Sequence, residues 1–379
     1  MTLFIFTFFT IYGGIHVYAF LKARNALGFG WGPGAGLALF MLAMTLAPFF
    51  IRSLERAGYE LSARALSYIA YLWMAALFLF FCGSLLVDIA NLVIRIYGWI
   101  FRTNALSFSI PPGPSFIGVI GLSLLLTTYG WFEAQNIRTE RLVLETSKLP
   151  AGTDRLTIVQ ISDVHLGLII RCSRLDRILD AVRAAKPDIL VSTGDLVDAQ
   201  INHLPGLAER LLAINPKYGK YAITGNHEYY AGLEKALAFT KEAGFTMLRG
   251  EARDLGVINI AGVDDITALQ MKLGRPAAER EILQKLNNNK FTLLLKHRPL
   301  IDKEALGAFD LQLSGHTHKG QIWPFIYLSR IAYPLNSGRH ELAGGAILYV
   351  NRGSGTWGPP IRFLSPPEVT VIEVRRKAP

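Results

Sequence analysis

The chain holds little cysteine and little charge. Cys82 and Cys172 are its two cysteines in 379 residues, too few for a disulfide framework and without the paired spacing of a thiolate metal site. Cys82 sits in an apolar run and Cys172 follows Arg171. Charged residues make up 18% of the chain, and the Lys and Arg behind its net charge of +10 are dispersed, many of them flanking apolar runs. A nucleic-acid-binding chain would carry a basic stripe interleaved with aromatics. The lack of one argues against nucleic acid and for an anionic membrane surface or an anionic substrate. Internal repeats and low-complexity tracts are missing too, and no feature of the sequence points to a protein partner.

Apolar sequence is abundant. Hydrophobic residues reach 51% and mean hydropathy is +0.30, too apolar for an ordinary soluble enzyme. The excess lies in residues 1–132, whereas residues 133–379 read as a globular domain, giving two domains. Thr2 to Leu21, Trp31 to Ile51, Leu66 to Val87 and Ser115 to Phe132 are each near the roughly 20 residues that cross a bilayer core. Gly and Pro within them are tolerated in such helices. The first run lacks the basic start and small-residue cleavage site of a signal peptide. Asn91 to Pro114, with Arg95, Tyr97, Trp99, Phe101 and Arg102, suits an interfacial segment or the end of the third helix plus a loop. Asp88, at the end of the third run, reads as an interfacial charge rather than a functional intramembrane one.

Four crossings put both termini on one side. Lys22, Arg24, Arg95 and Arg102 flank one face, four cations against the six of Arg52, Arg56, Arg64, Arg138, Arg141 and Lys148. The positive-inside rule then places the second domain in the cytoplasm.

That domain alternates strands and helices. Strands are expected at Arg141 to Glu145 (an edge), Leu156 to Ile161, Ile189 to Ser192, Tyr221 to Thr224, Val257 to Val263, Phe291 to Leu295, Leu311 to Ser314, Ala346 to Val350 and Val369 to Val374. Helices are expected at Arg174 to Ala185, Leu204 to Ile214, Leu233 to Ala243 and Glu279 to Leu286. The class is α/β, in which functional groups gather where strands end.

Five strand ends carry metal-binding side chains: Asp163-Val164-His165, Gly194-Asp195, Gly225-Asn226-His227-Glu228, Lys296-His297 and Gly315-His316-Thr317-His318. Two Asp, one Asn and four His suit hard and borderline divalent cations. On an extended segment, Asp163 and His165 would point to one side, as would His316 and His318. A carboxylate between two cations can bridge them at the roughly 3.5–4 Å separation of two-metal hydrolases. His16, His203 and His340 lie outside these clusters and read as structural.

Taken together, Asp-x-His, Gly-Asp-x-x-Asp, Gly-Asn-His-Glu, a later His and Gly-His-x-His resemble the signature of calcineurin-like metallophosphoesterases over residues 150–375. The resemblance implies a sandwich of two mixed β-sheets flanked by helices, here preceded by an α-helical transmembrane bundle. It implies that Asp163, His165 and His318 hold one metal, that Asn226, His297 and His316 hold another, and that Asp195 bridges them. The metals would be two divalent ions, manganese first, with iron, zinc or magnesium as alternatives. By the same resemblance His227 serves the scissile phosphate or its leaving oxygen, Asp198 orients His227, and Glu228 supports the loop.

Gly-Asn-His-Glu-Tyr-Tyr, Ala261 to Asp265 and Gly315 to Gln321 look like the bacterial membrane-anchored branch, some of whose members are UDP-2,3-diacylglucosamine hydrolases of lipid A synthesis. That implies an inner-membrane enzyme with a membrane lipid or lipid-linked substrate. Leu166 to Ile170 and Ile322 to Leu328, with Trp323 and Phe325, are either ordinary core or an acyl groove or membrane rim. Lys319, Arg352 and Arg362 are weaker candidates for phosphate contacts. A tethered phosphatase of soluble nucleotides or phosphoesters, and a scaffold that keeps the fold without chemistry, are the alternatives. The intact ligand set speaks against the scaffold, and the scarcity of buried charge in the helices against a transporter.

Overall fold

Long apolar runs become helices because a helix satisfies its backbone internally, as an apolar surrounding requires. The computed structural model describes residues 2–198 and 206–377. Two compact units emerge, Met1–Phe132 with Pro359–Ile361, and Glu133–Gly358 with Arg362–Pro379. The first contains α1 (Thr2–Leu27), α2 (Trp31–Arg56), α3 (Glu60–Phe101) and α4 (Pro112–Gln135). Among the described residues, three stretches are long and apolar enough to cross a membrane: Trp31–Arg56, Glu60–Phe101 and Ala105–Gln135. The first apolar run lies within α1, whose opening side chains are outside the described residues.

The third apolar run continues past Val87. Asn91 to Phe101 prolongs α3, and Arg102, in left-handed conformation, ends it. Aliphatic residues persist there with no Pro and no Gly before Gly98. At 42 residues and about 1.5 Å rise each, α3 is longer than the roughly 30 Å hydrocarbon core. Tyr12, Ala19, Met41, Leu77, Phe80 and Val119 pack the interior of this unit. His16 joins three of its helices: Nδ1 donates to the Tyr12 carbonyl (2.8 Å), and Nε2 accepts from Trp73 Nε1 (2.9 Å), with Thr45 Oγ1 3.3 Å from Nδ1.

The second unit is a sandwich of two mixed sheets. Its strands are β1 (Arg138–Thr146), β2 (Arg155–Ile161), β3 (Ile189–Ser192), β4 (Lys220–Ala222), β5 (Thr246–Met247), β6 (Glu251–Asp254), β7 (Asn259–Gly262), β8 (Thr292–Leu295), β9 (Leu311–Ser314), β10 (Gly338–Glu341), β11 (Ile347–Val350) and β12 (Glu368–Arg376). One sheet runs β1-β12-β2-β3-β4-β5, the other β10-β11-β9-β8-β7-β6. Helices α5 (Cys172–Ala185), α6 (Leu207–Leu212), α7 (Asn226–Ala231), α8 (Leu233–Glu242), α9 (Thr267–Gln270), α10 (Glu279–Leu283) and α11 (Ile326–Ala332) complete it.

Side chains alternate across a strand, so each sheet feeds two cores. Ile158, Val191 and Ile372 of the first sheet meet Ile260, Leu293 and Leu313 of the second. Val159, Leu190 and Val371 point the other way, onto Leu175, Ile178 and Leu179 of α5. The expected strands appear with small shifts, and the expected edge strand is outermost in its sheet. Strands β6 and β10 escaped the sequence reading because they are the polar edges of the second sheet. Edge strands of that kind carry charge to resist pairing with other chains, so they show no apolar run. The expected helix from Leu204 is observed as α6, its first residues and His203 lying outside the described residues.

Candidate metal centre

Parallel pairing of β2, β3 and β4, and of β8 and β9, aligns the strand ends that carry Asp163, Asp195, Asn226, His297 and His316. All seven candidate ligands come together in one place. Nε2 of His165 lies 3.1 Å from Nε2 of His318, which lies 3.4 Å from Asp163 Oδ1. His297 Nε2 lies 3.1 Å from His316 Nδ1, 3.3 Å from Asn226 Oδ1 and 3.3 Å from Asp195 Oδ2. The same Asp195 oxygen is 3.9 Å from His165 Nε2. Asp195 therefore sits between the two groups, and all seven residues are buried except His316, which is half-buried.

The backbone corrects one expectation. Convergence does not come from alternation along extended chain: Asp163 (φ 50°), His165 (54°), Asp195 (51°), His316 (71°) and His318 (49°) are all left-handed. That region is sparsely populated by residues with a Cβ, and such strain clusters where a site over-determines the chain. Close packing is part of what holds it. A Cβ on Gly225 would lie 2.1 Å from Asp195 Oδ1, so only glycine lets these loops approach.

The donor set fits divalent cations. Thr193 O accepts from His297 Nδ1 at 2.8 Å, which fixes that proton and leaves Nε2 to face three other acceptor atoms. Without a cation, protonation must balance this negative pocket: burial alone would lower His297, but Asp195, then Asp163 and Asp265, raise it to about 10. The first group is balanced differently. Arg362 Nη2 lies 3.1 Å from His318 Nδ1, and because a guanidinium only donates, Nδ1 accepts and Nε2 holds a proton. To hold a cation through Nε2 as a neutral ligand, His318 would have to carry its proton on Nδ1 instead. Burial and the nearby His227 charge push His165 down to about 3, a neutral ligand form, and its buried Nδ1 has no hydrogen-bond partner.

Supporting groups orient the ligands. Ser162 Oγ donates to Asp163 at 2.5 Å, and His316 N donates to the same carboxylate at 3.0 Å. Glu228 accepts from the backbone N–H of Gly225 (2.6 Å), Leu196 (2.8 Å) and Asp195 (3.0 Å), and so ties two ligand loops together. Burial, then the Asp195 charge, raises Glu228 to about 7. His227 Nδ1 donates to Asp198 Oδ1 at 2.9 Å. Burial would lower His227, yet the Asp195 and Asp198 carboxylates raise it to about 9, so it is protonated at neutral pH. Tyr230 and Trp357, half exposed, present their rings edge-on to it at 5.4 and 6.0 Å.

Among the weaker candidates, Arg362 is not a phosphate contact. It is fully buried, and it donates to the carbonyls of Gly355, Arg352 and His318. Burial lowers its pKa to about 9, against the raising effect of the nearby Asp163 charge. Arg352 pairs with Glu368 (2.6 Å) and Glu140 (2.5 Å) and is likewise committed to the fold. Lys319 is half-buried beside His318 and has no ion pair among the described residues. Leu166 and Ile170 belong to the core under α5, which removes the acyl-groove reading there. Trp323 (40% exposed) and Phe325 (45%) instead open a surface apolar stretch that α11 continues with Tyr327, Leu328 and Ile331. Sequence reasoning missed Arg298, which donates to Asp265 (2.8 Å) and to Tyr333 Oη (3.0 Å). The Tyr333 ring stands edge-on to His316 at 5.0 Å. Asp265 and Arg298 follow β7 and β8 directly, so the strand-end rule itself could have found them.

Comparison with known proteins agrees with this geometry. The family model for calcineurin-like phosphoesterases matches residues 156–320. A metallophosphoesterase of Aquifex aeolicus is 42% identical over 258 residues, covering 68% of this chain and 98% of that protein. One from Helicobacter pylori is 30% identical over 301 residues, 78% of this chain and 81% of that one. A zebrafish transmembrane protein with a metallophosphoesterase domain is 32% identical over 268 residues, 67% of this chain and 61% of the zebrafish one. The chain is a metal-dependent phosphohydrolase and belongs to the calcineurin-like phosphoesterase family.

Proposed function

We propose that the protein hydrolyses a phosphoester or pyrophosphate bond of a lipid-linked substrate at the membrane surface, a diacylated sugar nucleotide such as UDP-2,3-diacylglucosamine of lipid A synthesis being the type. The observation that carries this reading is the exposed stretch Trp323, Phe325, Tyr327, Leu328 and Ile331, which begins five residues after His318. Exposed apolar patches beside a site mark docking or ligand surfaces. Helix α4 ends at Gln135 and β1 starts at Arg138, so the tether is short and keeps the catalytic unit near the lipid. We place it in the inner membrane of a bacterium on the strength of the branch resemblance, and the balance of flanking cations favours the cytoplasmic face for the catalytic unit.

Asp163, His165 and His318 would hold one cation, and Asn226, His297 and His316 the other, with Asp195 between them. Two divalent ions, manganese in our reading, would supply a nucleophile at neutral pH and neutralise phosphoryl charge. His227, protonated and steadied by Asp198, gives its Nε2 proton to the leaving oxygen. Lys319 offers a positive charge to a phosphate oxygen. Tyr230 and Trp357, edge-on to His227, favour a second reading, a soluble nucleotide whose base packs on these rings.

The test compares two substrates. Trp323→Ser with Phe325→Ser should raise KM for a diacylated sugar nucleotide more than for a soluble chromogenic phosphodiester. Equal effects on both, or far faster turnover of soluble nucleotides by the intact protein, would replace the lipid reading with the second one.

A further inference from the structure

We propose that the membrane unit holds a binding site of its own for the phosphate of an anionic lipid headgroup, in a cavity bounded by α1, α3 and the entry to α4. The site uses no residue of the catalytic unit and does not depend on the substrate reading above.

The cavity measures about 410 Å³, within the size range of small-ligand sites. Its wall on α3 is a ladder, Asp88, Asn91 and Arg95, whose spacing of three and four puts them on one helix face. Lys22 faces them from α1 and is paired with Asp88. Tyr18 Oη also donates to Asp88, at 2.7 Å, so that carboxylate is already engaged from two sides. Arg95 has no ion pair among the described residues. Two cations against one anion leave a positive site at the point where the apolar run of α1 gives way to Lys22, which is where headgroups lie.

The third wall is the start of α4. Asn91 grips the chain before it: Oδ1 accepts from Ile110 N (2.8 Å) and Nδ2 donates to Ile110 O (3.2 Å). This grip sets Pro112 and Ser115, in the first turn of a 24-residue helix, on the cavity wall. Pro112 and Pro114 carry no N–H and the Ser115 N–H donates to the Pro111 carbonyl (3.2 Å), so the helix start adds only the positive end of its dipole to the cationic side chains. Val87, Leu92, Phe116 and Val119 give the cavity an apolar side, and Asn25, Ser84 and Ser109 add polar groups to its lining. A phosphate met by Lys22, Arg95 and a helix start, beside an apolar wall, is the chemistry of an acidic phospholipid. Basic pockets between transmembrane helices recognise headgroups in this way.

The test uses the full chain in nanodiscs or detergent, with lipid binding read by native mass spectrometry. The wild type should prefer phosphatidylglycerol over phosphatidylcholine by about fivefold or more, the worth of one cation near an anionic headgroup. Arg95→Gln should lose that preference and Arg95→Lys should retain most of it. Arg52→Gln, an exposed cation on α2 outside the cavity, should leave it unchanged. No preference in the wild type, or an equal loss in Arg52→Gln, would overturn the site. Competition by free glycerol phosphate as strong as that by the lipid would overturn the lipid as its source. Hydrolysis of a soluble phosphodiester by Arg95→Gln, at the wild-type rate, checks that the variant is folded.

Discussion

Asp195 carries more of the centre than any other side chain. One of its oxygens faces His297 and His165, and the other accepts from the His227 backbone N–H. Replacing it with Ala should therefore empty both metal positions, and elemental analysis should find less than one ion per chain against an expected two for the wild type. His227 is different: it touches Asp198 rather than sharing the ligand clusters' shortest contacts. His227→Ala should keep its metals and lose about 10²–10⁴ in turnover, the usual range for a positioned acid–base group, and Asp198→Asn should show a milder loss. Metal loss with unchanged chemistry per bound metal would remove that role. Arg362 makes the opposite case to its sequence expectation. Nothing in a single Arg tells whether it will be exposed: its partners here are the loop carbonyls of Gly355 and Arg352, seven and ten residues back, and His318 from a different strand end.

At the scale of elements, the strand ends were readable and the backbone between them was not. Each cluster follows an apolar run and so announces itself, whereas the left-handed ligands Asp163 and His165 carry no mark in their neighbours, and Asp195 carries only the preceding Gly194. The polar edges β6 and β10 and the exposed helix α11 were unreadable for a related reason, since periodicity reports only elements with a buried face. Gly225→Ala tests the loop contact: its Cβ would displace Asp195, so the variant should fold, bind metal weakly and recover partly in excess metal. Lys220 offers a check on a different element. Its ammonium, on β4, donates to the carbonyls of Leu211 and Ala243 at 2.7 Å, joining the ends of α6 and α8 to the sheet. Burial lowers its pKa from 10.5 to about 8. Between those values the unfolded chain binds a proton that the folded chain has released, so stability rises with pH across that window. Thermal melts from pH 8 to 10 should show this slope, and Lys220→Met should flatten it while lowering stability at every pH by roughly 1–3 kcal/mol for the unpaired carbonyls.

For the whole molecule, two units of different solvent preference share one chain, and each was legible by composition before its topology was. The apolar half announces helices, though not that α3 runs on to Phe101; the second half announces α/β layers, though not which strands are neighbours. Chelation should act on the second unit. Ligands that bind only the folded form stabilise it by about 2.7 kcal/mol at a hundredfold excess over Kd, so EDTA should lower the melting temperature of the catalytic unit, and added manganese should restore it. A melting temperature unmoved by EDTA would mean that the loops hold their shape without cations.

The sheet order β1-β12-β2 also has a consequence for biosynthesis. Strand β12 is made after every other strand, yet it lies between the first two. While the ribosome works, β2 to β5 can assemble, but β1, which follows the membrane helices in sequence, has no neighbour to pair with until residues 368–376 emerge. The nascent protein is thus anchored to its membrane well before its catalytic half can close, with an open sheet edge exposed in the interval. Stalling translation just short of β12 should leave a chain that is inserted, sensitive to protease between β1 and β2, and dependent on chaperones to stay soluble there.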